Sequence, residues 1–489
     1  MSNIIVLFAI IIVIIPTLQA NIIGDDEWVK AQTEEAYNTS LAAIYPDPED
    51  EISMFNNHVH LSLEGSNSTR RSLGKSYRGE CKAQNPIDRC WRCRVDWAVN
   101  RKRLVDCVKG FGRRTTGGKA GRYYVVTDSS DNDLVNPKPG TLRHAVLQPR
   151  PLWIIFARDM LIKLKGELLM MSDKTIDGRG ANVHIAYGSG IVIQFARNII
   201  IHNIRIHDIV SSPGGMIRDT WKHVGLRAAD DGDGITIFAS HNIWIDHLSM
   251  WNCKDGLIDA VSASTAITIS NCHFTHHNDV MLFGASDNDP RDRIMQVTIA
   301  FNHFGKGLIQ RMPRCRFGFF HVVNNDYTHW EMYAIGGTSH PTIISQGNRF
   351  IAPPNPMAKQ ITNRNNVVGN DWKQWIWRSE NDLMVNGAYF VESGTPLKNK
   401  PNRREFIKAK PGSYVRRLTR FAGFFSLYLV YQTRDFLAAY ISTASHSWHM
   451  LSAAHACFLD HDISGKTGNF CHAVYRFMGY IYKGSINAF

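Results

Sequence analysis

A spacing of 22–24 residues constrains this chain more than any other feature of it. Short β-branched runs recur, each followed by an aromatic residue or Met. They are Ile243-Trp244-Ile245 before Met250, Ile267-Thr268-Ile269 before Phe274, Val297-Thr298-Ile299 before Phe304, Val322-Val323 before Tyr327 and Ile343-Ile344 before Phe350. The anchors at 250, 274, 304, 327 and 350 differ by 24, 30, 23 and 23, and upstream Ile176 and Ile200 are again 24 apart. Each repeat of this length buries its apolar face only against its neighbours. Leucine-rich repeats share the period but need Leu at fixed positions, and those are missing here. The pattern therefore predicts an all-β fold, a right-handed parallel β-helix of 22–24-residue coils over about 123–390.

Leu248, Cys272, Asn302, Asn325 and Asn348 stand two residues before the anchors. Coils stack about 4.8 Å apart, so a polar side chain at one fixed place can hydrogen-bond to its copies as an amide ladder. Leu248 and Cys272 should break that ladder. Insertions at 211–227 and 286–293 should project as loops beside one face, where grooves are commonly built.

The flanking segments differ in character. Ile4 to Ile15 is an unbroken apolar run closed by Pro16 to Ala20. It is too short to span a bilayer and fits a signal peptide over 1–20, hence a secreted protein without stable membrane insertion. Asn38-Thr39-Ser40 and Asn67-Ser68-Thr69 are glycosylation acceptors. Residues 21–80 read as a polar, flexible leader. Of nine cysteines, those between 81 and 107 should staple the start of the folded domain, while Cys253, Cys272 and Cys315 read as buried thiols. A short helix is expected at 97–108, and another at 141–147 with Thr141 as its N-cap. Lys398 to Arg420 is a basic surface segment, and 424–489 lacks the coil period and is expected to be poorly packed.

The chemistry-bearing residues follow the same period. Asp231, Asp233, Asp255 and Asp259 precede Arg311, Arg314 and Arg316. Asp231 to Asp255 is 24 residues, as is Asp287 to Arg311, so stacked coils should gather acids and arginines on one side. Carboxylates crowded in this way repel unless protonated or bridged by a cation. An all-oxygen donor set favours a hard cation, and Ca²⁺ tolerates flexible geometry at about 2.3–2.6 Å. The plainer alternative is solvated turn aspartates, since Asp-Gly is a turn dipeptide. The arginines would share one side of an extended strand and grip a carboxylated polymer; otherwise they form a basic surface strand. His247, His276 and His277 read as structural. The net charge of +12 suits a polyanionic partner.

Several ordered motifs carry a family resemblance. Asp231-Gly232-Asp233-Gly234, Trp244-Ile245-Asp246-His247, Asp255-Gly256-Leu257-Ile258-Asp259-Ala260, Thr275-His276-His277 and Leu308 through Arg316 resemble plant pectate lyases of the pectate lyase 1 family. Asn85-Pro86-Ile87-Asp88 with Cys90-Trp91-Arg92-Cys93 and Asn324 through Trp330 are similar too, and the likeness covers about 81–423. It implies a monomeric, secreted cell-wall enzyme that cleaves polygalacturonate by Ca²⁺-dependent β-elimination, with no nucleic-acid partner. Asp231 or Asp233, with Asp255 and Asp259, would hold Ca²⁺. Arg311 would take the C5 proton, and Arg316, with Arg314, would bind substrate carboxylate. The alternatives are a polygalacturonase-type hydrolase using Asp231 and Asp233 as its acid pair, and a non-catalytic pectate-binding wall protein. Many relatives carry Lys where Asp279 stands.

Overall fold

The computed structural model describes residues 27–64, 81–364, 367, 369–395 and 407–424. Three long parallel sheets wrap one core. The first has ten strands and runs from Arg122–Val126 to Trp377–Glu380; the second has nine, from Met160–Ile162 to Leu383–Val385; the third has eight, from Leu168–Leu169 to Thr362–Asn363. Successive strands in each sheet come from successive coils, and crossovers between parallel strands take the right-handed sense. The predicted right-handed parallel β-helix is therefore the observed fold.

β-Branched side chains stack because the register holds from coil to coil. Ile154 pairs with Ile176, Ile176 with Ile201, Ile201 with Ile245, Ile245 with Ile269 and Ile269 with Ile299. The partner of Ile176 is thus Ile201, one residue beyond the Ile200 expected from the spacing. The anchors also stack, with ring centroids 5.3 Å apart for Phe274–Phe304, 4.5 Å for Phe304–Tyr327 and 4.6 Å for Tyr327–Phe350.

The amide ladder is present. Asn325 Oδ1 accepts from the backbone and side-chain amides of Asn302, and Asn348 Oδ1 accepts from those of Asn325. Asp382 caps the last rung by accepting from Asn348. Cys272 does not break the series as expected: its Sγ accepts from Leu248 N at 3.4 Å, while Asn302 accepts from Cys272 N. The residue before each rung turns the corner between sheets with positive φ: Asn203, His247, Asn271, Phe301, Asn324, Gly347 and Asn381, with φ between 52° and 60°. This left-handed bend is cheapest for Gly and Asn, which explains their frequency there.

The flexible leader is corrected within the described residues. Glu27–Ala43 (α1) and Pro48–Glu64 (α2) are helices packed on the outside of the ten-stranded sheet. In α2, Ile52, Phe55, Val59 and Leu63 are buried at helical spacing, and Glu49, Asp50 and Glu51 occupy the first turn, where the helix dipole favours acids. Phe55 stacks on Phe301 at 5.5 Å, and Tyr45 N donates to Gln296 Oε1. Residues 1–26, including the signal-peptide segment, and 65–80 lie outside the described residues, as does the tail from 425 onward.

Two disulfides, Cys81–Cys93 and Cys90–Cys107, staple the segment before the first coil, and Cys253, Cys272 and Cys315 are buried free thiols. The helix expected at 97–108 is a 3₁₀ turn, Arg101–Cys107, closed by the second disulfide. The helix at 141–147 is present as Leu142–Val146, with Thr141 accepting from His144 N. The insertion at 211–227 forms an antiparallel hairpin, Gly215–Arg218 with Val224–Arg227, whose Ile217 packs on Leu169 and Val192.

Candidate active site on the eight-stranded sheet

One row of residues crosses the outer face of the eight-stranded sheet. Thr236 pairs with Asp259, Asp259 with Leu282, Leu282 with Arg314, Arg314 with Gly336 and Gly336 with Asn363. The next residue inward on these strands, such as Ala260, Phe283 or Cys315, belongs to the core, so strand alternation forces the row outward. One coil register thereby sets an acid and an arginine two strands apart on the same floor.

Asp231 and Asp233 lie in the turn before the strand Ile235–Phe238, and Asp255 in the turn one coil later. Oxygen atoms of these three carboxylates all lie within 4.8 Å of one another. Asp259 approaches from its strand: a Cβ at Gly256 would lie 2.4 Å from Asp259 Oδ1 and 2.9 Å from Asp233 Oδ1. Only a residue without a side chain fits between those two carboxylates.

Asp233 accepts from Thr236 Oγ1 and from Gly256 N, and Asp259 accepts from Leu282 N. These few donors do not offset burial and mutual repulsion. Burial, then Asp231 and Asp255, push the Asp233 carboxyl well above its usual range. Burial and Asp233 do the same to Asp259. Asp231 is raised to about 6 by burial and Asp255, and Asp255 is raised by burial and Asp279. Unneutralised buried carboxylates made only of oxygen donors fit a hard divalent cation such as Ca²⁺.

The arginines do not form one strand. Arg311 sits in the bend after Leu308–Gln310, with φ 60°, while Arg314 and Arg316 flank buried Cys315. Arg311 Nε lies 3.0 Å from Asp279 Oδ1, an ion pair by distance whose atoms are not aligned as a hydrogen bond. Arg316 is tethered through Nε to Asp287 and through Nη1 to the Gly284 carbonyl, and Asp287 also accepts from Thr338 and Ser339. Arg314 Nε is buried without a hydrogen-bond partner among the described residues, and burial followed by Arg316 lowers its pKa. The 24-residue step from Asp287 to Arg311 thus produces no ion pair between them. The coil there is lengthened by the 3₁₀ turn Pro290–Ile294, so Asp287 meets Arg316 and Asp279 meets Arg311. The Asp279–Arg311 pair leaves no trace in the coil period.

Of the histidines expected to be structural, His247 and His277 are buried, whereas His276 is exposed in a bend with φ 47°. His247 lies between Asp246 (Nδ1–Oδ2 2.6 Å) and Asp88 (Nε2–Oδ1 2.9 Å), beneath Trp91 of the helix Pro86–Arg92. His202 Nδ1 and Ser270 Oγ also contact Asp246. Burial opposes charge on His247, but Asp246 and Asp88 outweigh it and raise the pKa to about 9. This buried ion cluster fastens the disulfide-stapled segment to the coils. His277 is buried, and burial lowers its pKa.

Known proteins with this architecture bear on the site. Residues 162–375 match the family model described as pectate lyase, and 21–73 match the one described as pectate lyase, N terminus. The chain is 60% identical to a pectate lyase of Lilium longiflorum over 83% of this chain and 93% of that protein. It is 54% identical to probable pectate lyase 7 of Arabidopsis thaliana over 84% and 94%. The crystal structure of jun a 1, the major allergen from cedar pollen, superposes with a TM-score of 0.67 at 44% identity, covering 70% of this chain and all of that one. With a matched amino-terminal segment, a matched β-helix and relatives covered almost end to end, this chain belongs to the pectate lyase family.

Proposed function

We propose that this protein cleaves (1→4)-α-D-galacturonan, the de-esterified backbone of pectin, by β-elimination, releasing 4,5-unsaturated oligogalacturonides. The observation that carries the reading is the convergence of Asp231, Asp233 and Asp255 beside a row running from Asp259 to Arg314. An acidic polymer meets cations at that floor, and the chain's net charge of +12 favours its approach.

Asp231, Asp233 and Asp255 would hold Ca²⁺, with Asp259 behind Gly256 adding charge. When bound, the cation supplies fixed positive charge that neutralises a uronate carboxylate and makes the neighbouring C5–H more acidic. Arg314 and Arg316 orient substrate carboxylates. Arg316 has Nε and Nη1 already committed, so its position is set before substrate arrives. Arg311 accepts the C5 proton, the C5 electron pair forms the C4=C5 double bond, the C4–O4 bond breaks, and the departing O4 takes a proton from water to become the hydroxyl of a new reducing end. A guanidinium accepts a proton only as its neutral minor form. Asp279, 3.0 Å from Nε, fixes the edge of the side chain. Secretion to the cell wall is supported by the apolar run at 4–15, the two disulfides and the exposed Asn38 of α1.

The test is one incubation with polygalacturonate, with and without a chelator. Ultraviolet absorbance of an unsaturated product that disappears on chelation is the expected outcome. Reducing ends without absorbance would identify a hydrolase, and binding without either product a wall-binding protein.

A further inference from the structure

The outward row does not stop at the arginines. It continues through Gly336 to Asn363, which lines a cavity of about 410 Å³ together with Met332, Tyr333, Thr362, Arg364 and Trp372. Strands lie about 4.8 Å apart, so Asn363 is about 10 Å beyond Arg314 and about 19 Å from Asp259. Tyr333 joins cavity and groove: burial raises its hydroxyl pKa, and Arg314, then Arg311, pull it back.

Among the described residues, Arg364 is the only charged one lining the cavity, and no acid lines it. Its guanidinium lies 4.0 Å from the Trp377 ring centroid and 4.7 Å from that of Trp372. Both of its hydrogen bonds use Nη2 and go to neutral oxygens, Val391 O and Ser393 Oγ. Nε is buried without a hydrogen-bond partner among the described residues. Burial lowers the Arg364 pKa to about 10, so the group stays charged at neutral pH while partly out of water. A cation held in this way is incomplete without an anion. Planar and stacked between two indoles, it presents a fixed fork rather than a mobile charge.

The geometry points to a distal anion subsite in this cavity: Arg364 takes the carboxylate of a galacturonate unit of a chain that already crosses the carboxylate cluster, and Trp372 packs beside its ring. The assignment rests on the proposed reading of the groove as a polygalacturonate site. It makes a length-sensing element of the last strand of the sheet. A trimer bound at the carboxylate cluster is too short to reach Asn363, and a hexamer is long enough.

Calorimetric titration of the whole protein carrying Arg311→Lys, which suppresses turnover and keeps binding, with trigalacturonate and hexagalacturonate in Ca²⁺ tests it; the two variants below are made in that background. The hexamer should bind about tenfold or more tightly than the trimer, the size of one charge-assisted contact. Arg364→Gln should remove that difference and leave trimer affinity unchanged. Because Arg364 packs between two tryptophans, Asn363→Asp serves as the second variant. It sets a negative charge in the cavity without disturbing that stack and should also abolish the hexamer advantage, with an unchanged melting temperature. A hexamer advantage that survives in either variant, or none in the Arg311→Lys protein itself, would overturn the assignment. An advantage that is present in the Arg311→Lys protein and lost in both variants, together with a native protein that forms no unsaturated product, would sink the lyase reading while upholding the subsite.

Discussion

Arg311 and Asp259 face the same groove, and calcium dependence should separate their roles. Asp259→Asn removes one charge from a site whose cation affinity depends on carboxylate count. Its activity should need more Ca²⁺ and recover partly in excess. Arg311→Lys keeps the charge but loses the planar fork. Turnover should fall on the order of 10²-fold, as for loss of a general base, with substrate binding mostly retained and no Ca²⁺ concentration restoring it. Steady-state kinetics across a Ca²⁺ series decides; if Arg311→Lys only weakens binding, Arg311 is a clamp and the base lies elsewhere. His247 poses a stability question instead. With its pKa raised to about 9 from 6.5, its stabilisation is complete below about pH 6.5 and is lost as pH rises through about 9. His247→Gln removes the cation between Asp246 and Asp88, leaving Arg92 on the far side of Asp88 to offset them, and should cost about 3–5 kcal/mol near neutral pH. Urea denaturation should show that deficit shrinking above pH 9.

At the scale of elements, the coil is held by rungs of unequal strength. The Asn325 side chain makes four hydrogen bonds, accepting two from Asn302 and donating to Ile299 O and Asn348 Oδ1. Cys272 supplies one weak sulfur acceptor to the rung below. Asn325→Ala should therefore cost about 3 kcal/mol and Cys272→Ala about 1 kcal/mol, because the first orphans several buried groups. Thermal unfolding of the two variants checks the order; equal losses would mean that the ladder stabilises by packing alone. Such rungs were legible in the sequence because a strand period of two inside a 23-residue coil repeats every side chain in place. The carboxylate cluster was legible for the same reason, since Asp231 and Asp255 fall one coil apart. Contacts outside the period were not. Asp279 reaches Arg311 through a bend, and Asp287 reaches Arg316 because an insertion lengthens its coil. α2 was missed because its stripe of Ile52, Phe55, Val59 and Leu63 lies among polar residues, where composition suggested disorder. Arg364 gave no signal, since its partners Trp372, Trp377, Val391 and Ser393 come from separate turns at the end of the solenoid.

For the molecule as a whole, the carboxylate cluster couples stability to pH and calcium together. Asp231 is raised from 3.8 to about 6, and Asp233, Asp255 and Asp259 are raised as well. A carboxyl whose folded pKa exceeds its unfolded value favours the folded state most when protonated. Its contribution is complete below about pH 4 and is lost as pH rises through the raised values. Without a cation, the cluster therefore destabilises the coils progressively from pH 4 to above 6. Ca²⁺ competes with those protons, so it binds where the acids are ionised and restores what ionisation removed. At a hundredfold excess over its dissociation constant, a single bound ion stabilises by about 2.7 kcal/mol. The melting temperature with Ca²⁺ minus that with chelator should be near zero at pH 4 and should grow to a few degrees by pH 7. Asp233→Asn should flatten most of that dependence, since it removes the carboxylate that faces both Asp231 and Asp259. Differential scanning calorimetry over this range reads the effect directly. A calcium shift that is largest at pH 4, or that survives unchanged in Asp233→Asn, would place the stabilising ion somewhere other than this cluster.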